Sequence, residues 1–347
     1  MTTMRDVARV AGVSAKTVSR VFNEDPHVSP ETRDRVRWAM ARLDYVPNLL
    51  ARSFRAGADA AIGLAFPDIG DPFFAAVAAS VEECLVSQGM AVVVTSLGYD
   101  PVREAGALET LLRRQISGLV VASISRNQAF LRAWQQRTPM VFVDRVPRGL
   151  SAVYVVEDDF GGARQAVEHL ARHGHQRIAL LGVSTFISTT QRRLEGYQAA
   201  VRERGLDGAP ELMCTHFPSH DEAVGEFLRL LDTPTPPTAV FSVSTLTTMA
   251  LVDTMHRVGR TDIAVVGFGD VPMAAALSPA ITVIDQDPAE LGRVAADRIT
   301  KLVVNASAAH GKPTNAALPK VRRRTVLPVH LIPRGSGELP PVPRSAG

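Results

Sequence analysis

Apolar positions recur at helical spacing over the first 46 residues, and this stretch predicts three short helices. Thr3 caps the first, with Asp6 three residues on in the reciprocal pattern of a capping box. Val7, Ala8, Val10 and Ala11 give it an apolar face, and Gly12 stops it where a positive φ is wanted. Ser14 caps the second helix, "AKTVSRVFN", whose inward residues are Val18, Val21 and Phe22. Ser29 and Pro30 open a third, with Val36, Ala39, Met40 and Leu43 on its buried side. From residue 60 the rhythm changes. Short apolar runs such as "AIGLAF", "SGLVVAS", "PMVFVDR", "RIALLG" and "DIAVVGF" alternate with longer amphipathic ones such as "DPFFAAVAASVEECLVSQG" and "FGGARQAVEHLARHGH". Strands alternating with helices predict parallel sheets with right-handed crossovers. Nine such strands exceed one compact sheet, so two similar α/β lobes are expected, dividing near residues 146 to 160. The final "GELPPVPRSAG", residues 337–347, is Pro-rich and polar and reads as a disordered tail. It holds no leucine heptad, so nothing there argues for a coiled-coil tetramer.

Composition narrows the class. A chain of 347 residues is longer than one core usually organises, and 46% hydrophobic residues exclude a disordered protein. No apolar run approaches the roughly 18 residues of a membrane span, and "MTTMRDVARV" lacks the apolar core of a signal peptide. Cys84 and Cys214 stand far apart without metal-like or redox-like spacing. A cytoplasmic protein without a membrane partner is expected. The charge of +3 is uneven: residues 1–57 carry ten Lys and Arg against six Asp and Glu, which leaves the remainder near −1. A small basic module on a neutral body points to a polyanion, and nucleic acid is the usual one.

"DVARVAGVSAKTVSRVFN" carries the strongest chemistry. Two capped helices joined at a glycine turn let the second lie in a DNA major groove while the first crosses the backbone. Enzymatic alternatives fare worse. "VVGFGDVP" begins like a dinucleotide fingerprint but has Pro272 where the third glycine belongs. His169 and His173 have i, i+4 spacing, but Glu168 precedes the pair, unlike a zincin motif, and histidines suit a helix C-terminus. Glu157, Asp158 and Asp159 are explained by a loop start and a helix N-terminus. No metal, cofactor or catalytic nucleophile is expected. A transport-type binding protein needs a secretion signal and no helix-turn-helix. An architectural DNA-bending protein with a vestigial pocket stays open.

The run from "MRDVARVAGVSAKTVSRVFN" through "VSPETRDRV" to "LDYVPNLLARSF" resembles the headpiece of LacI/GalR-type bacterial transcriptional regulators. The likeness continues through "DIGDPFFAAVAASVE", "VFVDR", "RRLEGYQAA", "IAVVGFGDVPMAAALSPAITVIDQDPAELG" and "PRGSG", residues 2 to about 336. It implies an all-α helix-turn-helix headpiece (1–46), a hinge helix and linker (47–58), and a two-lobe α/β effector domain of the type I periplasmic-binding-protein kind (59–336). It also implies a homodimer on pseudo-palindromic operator DNA, and a small effector, a sugar or related metabolite, between the lobes. Inducer and corepressor remain open.

The resemblance assigns roles by position. Ser14, Ala15, Lys16, Thr17, Ser19, Arg20 and Asn23 would face bases or phosphates, with Arg20 reaching a guanine. His27 and Ser29 would contact the backbone, where contacts set register. Asn48, Ala51 and Phe54 match a hinge helix that enters the minor groove, with Phe54 as the wedge where relatives usually carry Leu. Phe73, Phe74, Asp144, Arg145, Asp159, Phe160, Arg193, Ser244 and Asp270 match effector-binding positions. Two departures bear on the ligand. Ser244 and Thr245 replace the usual Asn-Asp, and Gly269 in "GFGD" removes a carboxylate. Both put a typical hexose in doubt.

Overall fold

The computed structural model describes residues 3–22, 25–43, 45, 61–184, 186–217, 219–310 and 320–342. The chain divides into two compact units, Met1–Asp59 and Ala60–Gly347.

The first unit holds three helices: α1 (Met4–Ala11), α2 (Ala15–Phe22) and α3 (Pro30–Arg42). Thr3 and Asp6 form the capping box, and Gly12 closes α1 in the left-handed region at φ +65°. Val7, Ala8, Ala11, Val18, Val21, Val28, Val36 and Ala39 make its core. Val10, expected on the apolar face, is 40% exposed, because it lies a quarter-turn away from Val7 and Ala11. Phe22 is half-buried. The hinge positions Asn48, Ala51 and Phe54, and Asn23 of the recognition helix, lie outside the described residues.

The second unit carries two six-stranded sheets. Its strands are β1 (Ala61–Phe66), β2 (Ala91–Ser96), β3 (Gly118–Val121), β4 (Met140–Val143), β5 (Val153–Glu157), β6 (Ile178–Leu181), β7 (Met213–Cys214), β8 (Ala239–Ser242), β9 (Ala264–Phe268), β10 (Thr282–Asp285), β11 (Arg324–Leu327) and β12 (His330–Ile332). Its helices are α4 (Pro72–Val86), α5 (Pro101–Leu112), α6 (Arg132–Gln135), α7 (Asp159–Arg172), α8 (Ser188–Arg204), α9 (His220–Leu231), α10 (Thr245–Arg257) and α11 (Pro288–His310). The first sheet runs β11-β5-β4-β3-β1-β2, all parallel; the second runs β12-β10-β9-β8-β6-β7, with only β12 antiparallel. All nine expected strands are present. β7, β11 and β12 go beyond the expectation: β7 spans two residues, and the other two lie in a charged, proline-interrupted stretch without a continuous apolar run.

Strand β1 is buried along its whole length, which explains its unbroken apolar run. One face, with Ile62, Leu64 and Phe66, packs on α4 and α11; the other side of the sheet, with Ala65, Leu119, Val121 and Phe142, packs on α5. The chain passes between lobes three times: after β5, after β10 and after β11. The first passage lies at residues 157–159, within the expected 146–160 window.

Residues 337–342 are not a disordered tail. Ser336 Oγ donates to the Val265 carbonyl at 2.7 Å and accepts from Thr282 N at 2.9 Å. Glu338 accepts from the Thr282 hydroxyl at 2.9 Å and meets His169. His175 Nε2 donates to the Leu339 carbonyl at 2.8 Å, and its Nδ1 accepts from the Thr238 hydroxyl at 2.8 Å. Composition misled here because these specific partners hold a polar stretch that lacks a core of its own. Residues 343–347 lie outside the described residues.

In the second lobe α7 and α8 touch where Gly196 meets the Phe160 carbonyl oxygen and Ala163, and a β-carbon at 196 would overlap that oxygen. Gly196→Ala should therefore destabilise the second unit by about 1–3 kcal/mol, read as a lowered urea midpoint. An unchanged midpoint would mean that the two helices are not this close.

Candidate nucleic-acid interface and inter-lobe cleft

In the first unit, α2 presents Lys16 and Arg20 to solvent, with Ala15, Thr17 and Ser19 half-buried beside them. Arg20 Nε donates to Asp25 Oδ2 at 2.8 Å, and the other oxygen of Asp25 accepts from His27 N at 2.9 Å. His27 Nδ1 lies 3.1 Å from that same oxygen. The Arg20 guanidinium, and after it the His27 contacts, hold the Asp25 carboxyl well below the usual carboxylate range. Asp25 thus splints two of the expected DNA-facing residues. Sequence reasoning missed it because a carboxylate is not sought next to a polyanion.

Two expected hydroxyls are already engaged. Ser14 Oγ accepts from Thr17 N at 3.0 Å, and Ser29 Oγ accepts from Thr32 N at 3.4 Å. Both serines start helices, so what they offer a phosphate is backbone geometry more than a free hydroxyl. Arg33 donates to the Asp25 and Val28 carbonyls at 3.1 and 3.5 Å and ties the loop before α3.

In the second unit a cavity of about 750 Å³ opens between the lobes. Its wall comes from segments that follow the C-terminal ends of parallel strands, where α/β ligands bind. Six of the nine expected effector residues line it: Phe73, Phe74, Asp144, Arg145, Arg193 and Ser244. Asp71 starts α4, and its Oδ1 accepts from Phe73 N at 3.0 Å, which sets the aromatic pair at the cavity edge. Phe74 stacks on Phe66 with ring centres 5.4 Å apart. Asp144 ends β4 in the left-handed region at φ +65°, a conformation that Asp tolerates better than most residues. Its Oδ2 lies 3.0 Å from Arg145 Nε, an ion pair without hydrogen-bond alignment.

Arg193 on α8 is buried. Its Nε donates to Asp159 Oδ1 at 2.7 Å and its Nη1 to the Val243 carbonyl at 2.6 Å; the guanidinium lies over the Phe268 ring at 3.7 Å. Three expectations change. Asp159 does not line the cavity: it stands behind Arg193 and orients it. Phe160 faces a separate groove beside Arg192, whose guanidinium lies 5.2 Å from its ring centre. Asp270 is held by Arg334, with contacts of 2.6 and 2.7 Å, and borders another small pocket. Chain position alone cannot separate a wall residue from one turned a few tens of degrees away. Residues missed at the wall include Asp71, Tyr99, Arg126, Phe217, His220 and Gln286. Asp71 and Gln286 stand inside the quoted family motifs, which could have found them; Tyr99, Arg126, Phe217 and His220 lie outside those motifs and come to the wall only through the fold.

Burial dominates the acid–base balance. It raises Asp71 to about 6 and Tyr99 to about 12. It raises Asp159 to about 7 against the pull of Arg193. Glu157 is pushed well above its ordinary 4.5 by burial, then by Asp144 and Asp159. Its Oε1 accepts from Gln286 Nε2 at 3.5 Å, and its Oε2 has no hydrogen-bond partner among the described residues. Arg193 pulls on both carboxyls but hydrogen-bonds only Asp159, so the upward push of burial is less opposed at Glu157. A raised carboxyl contributes stability that is full below its unfolded value and is lost as pH rises through the folded one. Burial lowers His169, His175 and His220, which works in the opposite sense. A matched pair of proteins cancels the histidines. Between pH 5 and pH 8 the wild type should lose Tm relative to Glu157→Gln by roughly 2–4 °C or more. Parallel curves would mean that Glu157 is ionised throughout.

Comparisons with known proteins agree with both units. Residues 3–48 match the family model of bacterial regulatory proteins, lacI family, and residues 167–337 match the periplasmic binding protein-like domain. The chain is 31% identical over 301 residues to the HTH-type transcriptional regulator GalS of Salmonella typhimurium, covering 86% of this chain and 88% of that protein. It is 30% identical over 311 residues to the ribose operon repressor of Escherichia coli, covering 86% and 92%. Among solved structures it resembles the lac repressor dimer bound to operator and the anti-inducer ONPF, with TM-score 0.76, 26% identity, and 97% and 99% of the two chains covered. Among the described residues no helix is long and apolar enough to cross a membrane. The chain belongs to the lacI family of bacterial regulatory proteins.

Proposed function

We propose that this protein is a cytoplasmic repressor of transcription. It binds a pseudo-palindromic operator as a homodimer, and a small molecule in the inter-lobe cleft controls it. One observation carries the reading: a single chain joins a helix-turn-helix with exposed Lys16 and Arg20 to a two-lobe domain with a cleft of about 750 Å³. A two-fold dimer matches a two-fold site.

Lys16 and Arg20 then read base edges, and Asp25 fixes the approach of Arg20. Ala15 is small enough to meet a thymine methyl, Thr17, Ser19 and Asn23 reach phosphates or base edges, and His27 meets the backbone. Asn48, Ala51 and Phe54 form the hinge helix in the minor groove, where Phe54 unstacks a base step in return for the contacts that bending permits. Effector binding acts through a difference in affinity between two lobe arrangements, which changes how the dimer pairs its hinges. Arg193 is the central polar contact, and Asp159 is a positioning residue acting through it.

Selection from random duplex DNA tests the operator reading. The full-length protein should recover an inverted repeat. Arg20→Ala should lose about 1–3 kcal/mol on that site and relax the preference at one base pair per half-site. A non-repeating preference, or unchanged affinity in the variant, would remove α2 from its role. A reporter placed behind the recovered site tests the cleft: Arg193→Ala should stay repressed in every growth medium that derepresses the wild type. A variant that derepresses normally would put control elsewhere.

A further inference from the structure

The cleft wall offers two kinds of surface. Its belly is apolar and aromatic, with Phe74, Phe217, Leu246 and Val183. Its volume falls within the range for drug-sized ligands, about 300–1,000 Å³. At one end the cavity continues into a pocket of about 220 Å³, which shares Arg126, Arg145 and Phe186 with it and adds Arg148. The cations here differ in their commitments. Arg145 faces Asp144, and Arg193 faces Asp159. Among the described residues no carboxylate pairs with Arg126 or Arg148; Arg126 lies over the Phe186 ring at 4.1 Å.

The two carboxylates of the wall both come from the first lobe and each has one oxygen committed: Asp71 Oδ1 caps α4, and Asp144 Oδ2 faces Arg145. The second lobe lines the cavity with hydroxyls, Ser244 and Thr245 among them, and with no carboxylate among its described residues. Gly269, at φ +89°, leaves no room for one, because a β-carbon there would overlap Thr245 Oγ1. A polyol needs acceptors that take hydrogen bonds from neighbouring hydroxyls, and a carboxylate is the best of them. Guanidinium groups without a counter-charge, next to an apolar cavity, suit the reverse: a ligand that brings its own negative charge, which their planar forks grip in two bonds.

Resting on the cleft being the effector site, we propose that the effector is an organic acid with an apolar, ring-bearing body, not a neutral sugar. Its acid group sits on Arg126 and Arg148, and its body lies against Phe74, Phe217 and Leu246.

Isothermal titration of the full-length protein tests this. The probes are phenylacetate and phenyl phosphate, their uncharged counterparts phenylacetamide and phenol, and the sugars glucose and ribose. The two acids separate a carboxylate from a phosphate source. At least one acid should bind about tenfold or more tighter than its uncharged counterpart, and tighter than either sugar. Arg126→Gln combined with Arg148→Gln should bring the acid-to-neutral ratio near one, and Phe74→Ala should weaken the acid. The proposal is overturned if neither acid binds saturably, if a sugar outbinds both acids, or if the double substitution leaves the ratio unchanged. A sugar that depends on Phe74 and ignores Arg126 would leave the effector cleft standing and remove only the acid. An acid that ignores Phe74 and Arg193 would sit outside the cleft and remove both.

Discussion

The second unit is organised around one buried guanidinium. Arg193 joins four elements: it extends from α8, donates to Asp159 at the start of α7, donates to the carbonyl that follows β8, and lies on Phe268 at the end of β9. A buried cation is tolerable only with a counter-charge and its donors filled, and here an acid, a carbonyl and an aromatic face supply them. The contact exists because Gly196, one turn further along α8, lets that helix lie against the Phe160 carbonyl.

The same packing isolates Glu157. It lies at the first passage between the lobes, faces Gln286 at the second, and pairs through β5 with Leu327 at the start of the third. A carboxyl in that place makes no ion pair among the described residues, and burial pushes it well above its ordinary range.

The two units solve different electrostatic problems. The headpiece carries Lys16 and Arg20 at its surface, and the half-buried Asp25 holds Arg20 and His27 together. The effector domain pairs its buried Arg193 with Asp159 and its half-buried Arg145 with Asp144, while among the described residues no carboxylate pairs with Arg126 or Arg148 beside the pocket.

Much of this was legible in the sequence. Capping at Thr3, Ser14 and Ser29, the stop at Gly12 and the nine apolar runs depend on neighbours along the chain, so local spacing determined them. Arg193, Phe74 and Asp144, which the resemblance singles out, line the cleft. Other features depend on distant partners. Asp25 as a splint, the burial of Glu157 between the lobes, Asp159 behind the wall and the docking of residues 337–342 each arise from contacts across the fold. The turned-away positions of Phe160 and Asp270 belong with them: a few tens of degrees of helix rotation, or one competing arginine, decides whether a side chain lines a cavity. Residue type and spacing fixed which elements form and which chemistry is on offer. Burial and the nearest counter-charge, which only tertiary packing supplies, decided which of those groups are charged, free and aimed at a ligand.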